Sequence, residues 1–137
     1  MLKRLFVAAA LAAPLVWHVP AQAQAPWPNK PVKVIVSNAA GSATDAVART
    51  FADALSKKFG QPFVVENRTG ANGLIGTDAV AKSPNDGYTL LFTYAAAHVV
   101  NPVLLEKMPY DVHKDFAAIA QIGAGGNFLV VPPSMPV

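Results

Sequence analysis

Residues 32–45, VKVIVSNAAGSATD, decide the fold of this chain. A short β-branched apolar run passes straight into a turn of small residues, and a helical pattern begins behind the turn with no large side chain in between. This order is typical of α/β proteins, in which such a turn presents bare backbone N–H groups and a helix N-terminus to an anion. Because nothing in the turn resembles a nucleophile or a general base, the segment indicates a site that holds a ligand.

Strand and helix patterns alternate along the rest of the chain. The predicted strands are residues 32–36, 63–66, 88–93, 116–122 and 128–131. The predicted helices are residues 44–59, ended by Gly60, residues 74–82, and a short stretch near residues 103–106. This alternation predicts an α/β fold, a mainly parallel sheet flanked by helices, with ligands bound at the carboxyl ends of the strands.

Residues 1–25 have the pattern of a secretory signal peptide. Lys3 and Arg4 precede an apolar run that Pro14 and Pro20 interrupt, and small residues favour cleavage after Ala23 or Ala25. The apolar run is shorter than the roughly 20 residues of a spanning helix. Residues 26–137 are therefore expected to form one exported α/β ligand-binding lobe that does not span the membrane after cleavage.

Charge and cysteine content exclude several classes of protein. Of the 11 basic residues, two belong to the predicted leader, so the remaining chain is close to neutral against its 8 acidic residues. This balance does not favour nucleic-acid binding. The chain has no cysteine, so no disulfide framework is available and burial alone must hold the fold.

Polar residues collect at the predicted carboxyl ends of the strands, but they match no catalytic motif. Gly70 to Gly76 lacks the spacing of a P-loop or a dinucleotide fingerprint, which favours a structural loop. Ser42 lacks the frame of a nucleophile elbow and is a helix cap or a ligand donor. Asp45 has a sufficient role as a negative charge in the first helical turn. His98 and His113 lack metal-ligand spacing, so we expect no metal and no cofactor, and a ligand or loop hydrogen-bonding role for His98.

Five ordered segments resemble the tripartite tricarboxylate transporter receptor family, also called Bug proteins. They are residues 27–32, 39–45, 60–68, 83–91 and 108–111. The resemblance implies the first lobe of a two-domain, type II periplasmic binding protein that binds a small organic carboxylate and delivers it to a membrane permease. It implies ligand contacts from two places, the turn after the first strand and the loop after the third. The residues carried over are Ala40, Gly41, Ser42, Thr44 and Asp45 in the turn, and Thr93, Ala95 and His98 in the loop.

The sequence departs from the family in two respects. Ser37 and Asn38 stand where the family has Pro-Phe, and Gly41-Ser42 replaces two adjacent glycines. Family members are also about twice as long, so a truncated chain is expected. Two alternatives to a receptor lobe remain open at this point: an exported α/β hydrolase-like enzyme that uses the Gly41-Ser42 turn, and a nonfunctional truncated fragment.

Overall fold

The computed structural model describes residues 26–125 and 130–135, and three parallel strands form its sheet. They are β1 (Val32–Val36), β2 (Phe63–Asn67) and β3 (Thr89–Phe92), in the order β2-β1-β3. In the register, Val34 lies beside Val65 on one side and beside Leu90 on the other. β1 is the central strand, and its Val and Ile residues are buried on both faces of the sheet, whereas Lys33 is exposed.

Helices connect the strands as the alternating pattern predicts. α1 (Ala43–Phe59) links β1 to β2, and α2 (Leu74–Ala81) links β2 to β3 after a single 3₁₀ turn, Ala71–Gly73. A π-helical turn, Ala96–Val100, follows β3 and continues into α3 (Asn101–Leu104). The predicted α/β class with a parallel sheet flanked by helices is confirmed.

Small side chains bring α1 close to the sheet. Ala48 and Ala52 are buried, whereas the larger residues Val47, Phe51 and Phe59 of the same helix remain 38–42% exposed. The helix therefore packs on its alanines and on Leu55, and the exposed large residues lie at the edges of the contact. α1 ends at Gly60, whose left-handed conformation (φ 68°) closes the last turn through a hydrogen bond from its N–H to the carbonyl of Ser56.

Of the predicted elements after β3, the strand at residues 116–122 is wrong and the short helix is shifted by two residues. Residues 116–122 do not form a strand, and most of them are exposed. Phe116, Ile119 and Ile122 favour an extended backbone, but the three alanines between them do not, and these residues have no ladder partner within the described part of the chain. The short helix lies nearer to β3 than predicted, and it ends at Leu104. Most of the predicted strand at 128–131 lies outside the described residues.

The helices in the described ranges are too short or too polar to cross a lipid bilayer.

Candidate functional site

The sheet order places a topological switch point between β1 and β3. The chain leaves β1 through α1 toward β2 on one side, and it returns through α2 to β3 on the other. Two neighbouring parallel strands whose connections run in opposite directions leave a crevice at their carboxyl ends, where α/β proteins bind ligands. The segments beyond Val36 and Phe92 border this crevice, and they contain all the predicted site residues.

A hydrogen-bonded network around Asp45 holds the turn between β1 and α1. Its Oδ2 accepts from the backbone N–H of Gly41 at 2.9 Å and from Nε of Arg49 at 3.0 Å. Its Oδ1 accepts from Nδ2 of Asn67 at 2.8 Å, and the same amide group reaches the carbonyl of Asn38 at 3.1 Å. Asp45 thus connects the turn to the end of β2.

These donors stabilise the ionised form of Asp45. The Arg49 side chain, the Gly41 N–H and the Asn67 amide lower the pKa of the carboxyl group from 3.8 to about 2. The carboxylate is almost completely buried and has three donors around it. Asp45 therefore shapes the turn from inside, and its charge is balanced within the protein.

The remaining turn residues face solvent to different degrees. Ala40 and Gly41 are exposed, and Ser42 and Thr44 are half-buried. Ser42 caps α1, because its Oγ accepts the N–H of Asp45 at 3.2 Å. The N–H groups of Ala43 and Thr44 belong to the first turn of α1, which offers them no carbonyl partner inside the helix. Open donors and the positive end of a helix thus meet at this turn.

Two hydroxyl groups join the carboxyl ends of β1 and β3. Oγ of Ser37, the residue after β1, lies 2.8 Å from Oγ1 of Thr93, the residue after β3. Ser37 is 1% exposed, whereas Thr93 is half-buried. The structure therefore places Thr93 beside the strand from which the first turn starts.

His98 and Ala95 occupy the helical segment after β3. Ala95 is exposed at its start. The His98 ring packs edge-on against Phe116, with ring centres 5.1 Å apart, and beside Tyr110 at 6.4 Å. Burial lowers the pKa of His98, and its Nδ1 is buried without a hydrogen-bond partner in the described structure. His98 is thus a neutral member of an aromatic cluster, and its role as a ligand contact stays a prediction.

The glycine loop after β2, residues 70–76, continues into the first turn of α2 and has the packing of a structural loop. A methyl group on Gly76 would stand 2.5 Å from the carbonyl oxygen of Arg68, so only glycine fits there. Asn72 adopts a left-handed conformation (φ 54°), and its amide group donates to Oδ1 of Asn101 at 2.9 Å and accepts from the hydroxyl of Tyr94 at 3.2 Å. Sequence reasoning missed this amide pair. The available signal was an asparagine between Ala71 and Gly73, since asparagine tolerates positive φ.

Ser37, Asn38 and Asn67 are further residues that the structure adds to the edge of the site. Their polar character at strand ends was visible in the sequence, but the contacts of Ser37 with Thr93 and of Asn67 with Asp45 and Asn38 were not. No three acidic or histidine side chains converge as a metal ion would require in residues 26–125 and 130–135. Two open clefts, of about 470 and 840 Å³, are lined by other residues, among them Met108 and Asp115 in one and Trp27 and Lys30 in the other.

Comparison with known proteins assigns the chain to a family. Residues 47–137 match the model of the tripartite tricarboxylate transporter family receptor. Protein BugT of Bordetella pertussis is 42% identical over 110 residues, which are 80% of this chain and 34% of BugT. The chain spans about a third of the length of these curated relatives.

Two solved structures from Rhodopseudomonas palustris share the fold. MatC with bound malate is 37% identical, with a TM-score of 0.62 over 65% of this chain and 30% of MatC. Rpa4515 with adipate is 39% identical, with a TM-score of 0.61 over 64% of this chain and 29% of Rpa4515. The family match, the sequence identity and the shared α/β fold agree with one another, and the chain belongs to the tripartite tricarboxylate transporter receptor family.

Proposed function

We propose that this chain captures a small organic carboxylate at the crevice between β1 and β3. The observation that carries the proposal is the turn of residues 40–45, which presents open donors and the N-terminus of α1 beyond the end of β1, where Ser37 meets Thr93. Carboxylates only accept hydrogen bonds, so they complement a site built from N–H and hydroxyl groups. The two structures with adipate and malate support a dicarboxylate as the ligand.

The charges at the strand ends support recognition through neutral donors. Arg49 forms an ion pair with Asp45 at 3.0 Å, and Arg68 forms one with Glu66 at 2.6 Å. Both guanidinium groups at this end of the sheet are therefore already balanced by carboxylates. Because the turn is open to water, the N-terminus of α1 contributes only about 0.3–1 kcal/mol, and we expect a dissociation constant of about a millimolar.

The wider role that we infer is that of an exported receptor. The predicted leader supports a periplasmic location, and the family supports a membrane permease of a tripartite transporter as the partner. We do not infer an enzyme. Ser42 is used as a helix cap, and no hydrogen bond joins it to a histidine in the part of the chain that is described.

Titration with succinate, malate, adipate, citrate and glutamate tests the proposal. Amide NMR shifts are expected to move at residues 40–45 and 93–98, because these residues border the crevice. The neutral diamide with the same carbon chain as succinate serves as the ligand control. It should cause no saturable shift, since it lacks the carboxylates. Shifts that cluster at residues 70–76 and spare residues 40–45 would contradict the assigned site, and the absence of saturable shifts with all five acids would contradict the function.

A further inference from the structure

The Ser37 side chain is tightly enclosed, and its hydroxyl group has a single hydrogen-bond partner within the described residues. The side chain is 1% exposed, and the helical turns that precede and follow β3 crowd around it. A methyl group on Gly73 would lie 3.4 Å from the Ser37 Oγ and 3.5 Å from the Ala97 Cβ, and one on Gly76 would lie 3.2 Å from the Ser37 Cβ. Bulk water therefore does not reach the Ser37 side chain. The hydroxyl makes one hydrogen bond in the described structure, to Oγ1 of Thr93 at 2.8 Å.

The difference in burial decides which of the two hydroxyl groups donates. If Thr93 donated to Ser37, the Ser37 hydrogen would be buried without an acceptor, which is costly. If Ser37 donates, its hydrogen is satisfied, and the Thr93 hydrogen remains available on a half-buried side chain. Ser37 is therefore the donor, and Thr93 accepts from it.

We propose that Ser37 is a positioning residue for ligand binding, which acts by turning the Thr93 hydroxyl into a fixed outward donor. A hydroxyl group that accepts one hydrogen bond from a buried partner donates more strongly, and its own hydrogen points away from that partner. The outward hydrogen of Thr93 then matches a carboxylate oxygen, which only accepts. This inference rests on the proposed carboxylate-binding function, and it adds a residue, Ser37, that does not itself touch the ligand.

The donor direction can be measured without a ligand. In an equal mixture of H₂O and D₂O, a hydroxyl group that exchanges slowly gives two resolved ¹³Cβ signals, one for each isotope. The full chain labelled with ¹³C-serine and ¹³C-threonine should show two Cβ signals for Ser37 and one averaged signal for Thr93. Two signals for Thr93, whatever the number for Ser37, would mean that Thr93 donates to Ser37 and would overturn the proposal.

A double-mutant cycle on succinate binding tests the positioning role. Ser37→Ala should weaken binding about fivefold, the loss expected from one ordinary hydrogen bond, and Thr93→Val should weaken it at least tenfold. In the Thr93→Val background, Ser37→Ala should have no further effect, because Ser37 acts only through Thr93. An unchanged affinity in Ser37→Ala, or independent losses that multiply in the double variant, would overturn the proposal.

Matched controls separate positioning from general loss of structure. Ser83→Ala removes a serine hydroxyl that donates to the carbonyl of Ala79 at 2.8 Å near the other end of the sheet, and it should leave succinate binding unchanged. Melting temperatures of all variants are recorded, and the binding cycle should stay non-additive whatever the melting temperatures do. If the wild-type chain binds none of the dicarboxylates, the proposed function fails and the positioning role fails with it. The isotope pattern distinguishes that failure from a wrong donor direction.

Discussion

The turn after β1 and the loop after β2 both contain glycine at the same end of the sheet, but they use it for different reasons. Gly41 has φ 80°, and the space where its side chain would stand is open for 4 Å. Gly76 lies so close to the protein that an added methyl group would meet the Arg68 carbonyl oxygen at 2.5 Å. Gly41 is required because the backbone there has a positive φ, and Gly76 is required because the neighbouring backbone packs too closely for a side chain.

The comparison shows how to recognise a ligand-binding turn among glycine-containing loops. A ligand can approach Gly41, because nothing stands in front of it. The position in front of Gly76 is already filled by Arg68 and Ser37. Open space beside positioned donors, and not glycine content, separates the candidate site from its structural neighbour.

The largest effect is expected from Gly76→Ala. The added methyl group should lower the free energy of unfolding by about 2–3 kcal/mol, because the clash is with backbone atoms that cannot move aside cheaply. Urea denaturation measures the change. Gly123→Ala is the matched control, since nothing lies within 4 Å of that position, and it should cost less than about 0.5 kcal/mol. Equal stabilities for the two variants would mean that the loop after β2 is as open as the first turn.

Acid should weaken the turn after β1 and not the loop after β2. The pKa of Asp45 is lowered to about 2 in the folded chain, so the unfolded chain binds the proton more readily. The stability that Asp45 contributes is therefore present above its ordinary pKa and is lost as the pH falls from about 4 to about 2. The loop after β2 is held by the amide groups of Asn72 and Asn101, which do not titrate.

Thermal unfolding across this pH range checks the prediction. Asp45→Asn should be less stable than the wild type at neutral pH, and the difference between them should shrink as the pH approaches 2. Asp53→Asn leaves the Asp45 network in place and should retain the wild-type fall. A constant difference between wild type and Asp45→Asn at every pH would show that the charge of Asp45 does not hold the turn.

Gly41→Val should separate binding from folding. A β-branched residue is poorly suited to φ 80°, so the turn must change shape, and succinate affinity should fall at least tenfold. Gly41→Asn should retain most of the affinity, because asparagine tolerates this conformation. Lys57→Ala, in the last turn of α1, should bind like the wild type. NMR titration gives the three affinities, and normal binding by Gly41→Val would remove this turn from the site.

The smallest effect is expected from Asn72→Ala. The change removes the hydrogen bonds to Asn101 and Tyr94 and leaves alanine at φ 54°, so unfolding should become easier by about 1 kcal/mol. Succinate affinity should stay unchanged, because Asn72 belongs to the structural loop. Asn72→Gly relieves the backbone without restoring the hydrogen bonds, and it should lie between alanine and wild type. A loss of affinity in Asn72→Ala would mean that the binding site includes the loop after β2.

Local patterns in the sequence predicted the elements that local physics determines. The β-branched run at β1 was bounded correctly, and α1 begins only one residue earlier than expected, because Ser42 caps it as a serine at that place can. The stretch at residues 116–122 shows the limit of such reasoning. Its large apolar residues favour an extended backbone, but its alanines do not, and whether a ladder partner is present depends on distant parts of the chain.

The contacts at the candidate site are nonlocal, which is why sequence reasoning could name residues there without their roles. Ser37 and Thr93 are 56 positions apart, and Asp45 and Asn67 are 22 apart. The acidic residue at the start of α1 was expected to act at least as a helix-end charge. Asp45 also accepts the hydrogen bonds that join the turn after β1 to the end of β2. That role depends on the pairing of the two strands, which only the structure shows.

Trp27 gives the chain an optical probe far from the candidate site. Its indole packs edge-on against Phe59 and Phe63, lies beside Tyr88, and stands 3.2 Å from where a side chain on Gly87 would begin. The chain's other tryptophan, Trp17, lies in the predicted leader. After cleavage, fluorescence emission would come from one indole near the starts of β2 and β3. That emission would report the assembly of the sheet. It would not respond to a ligand that binds in the crevice at the opposite end of the sheet.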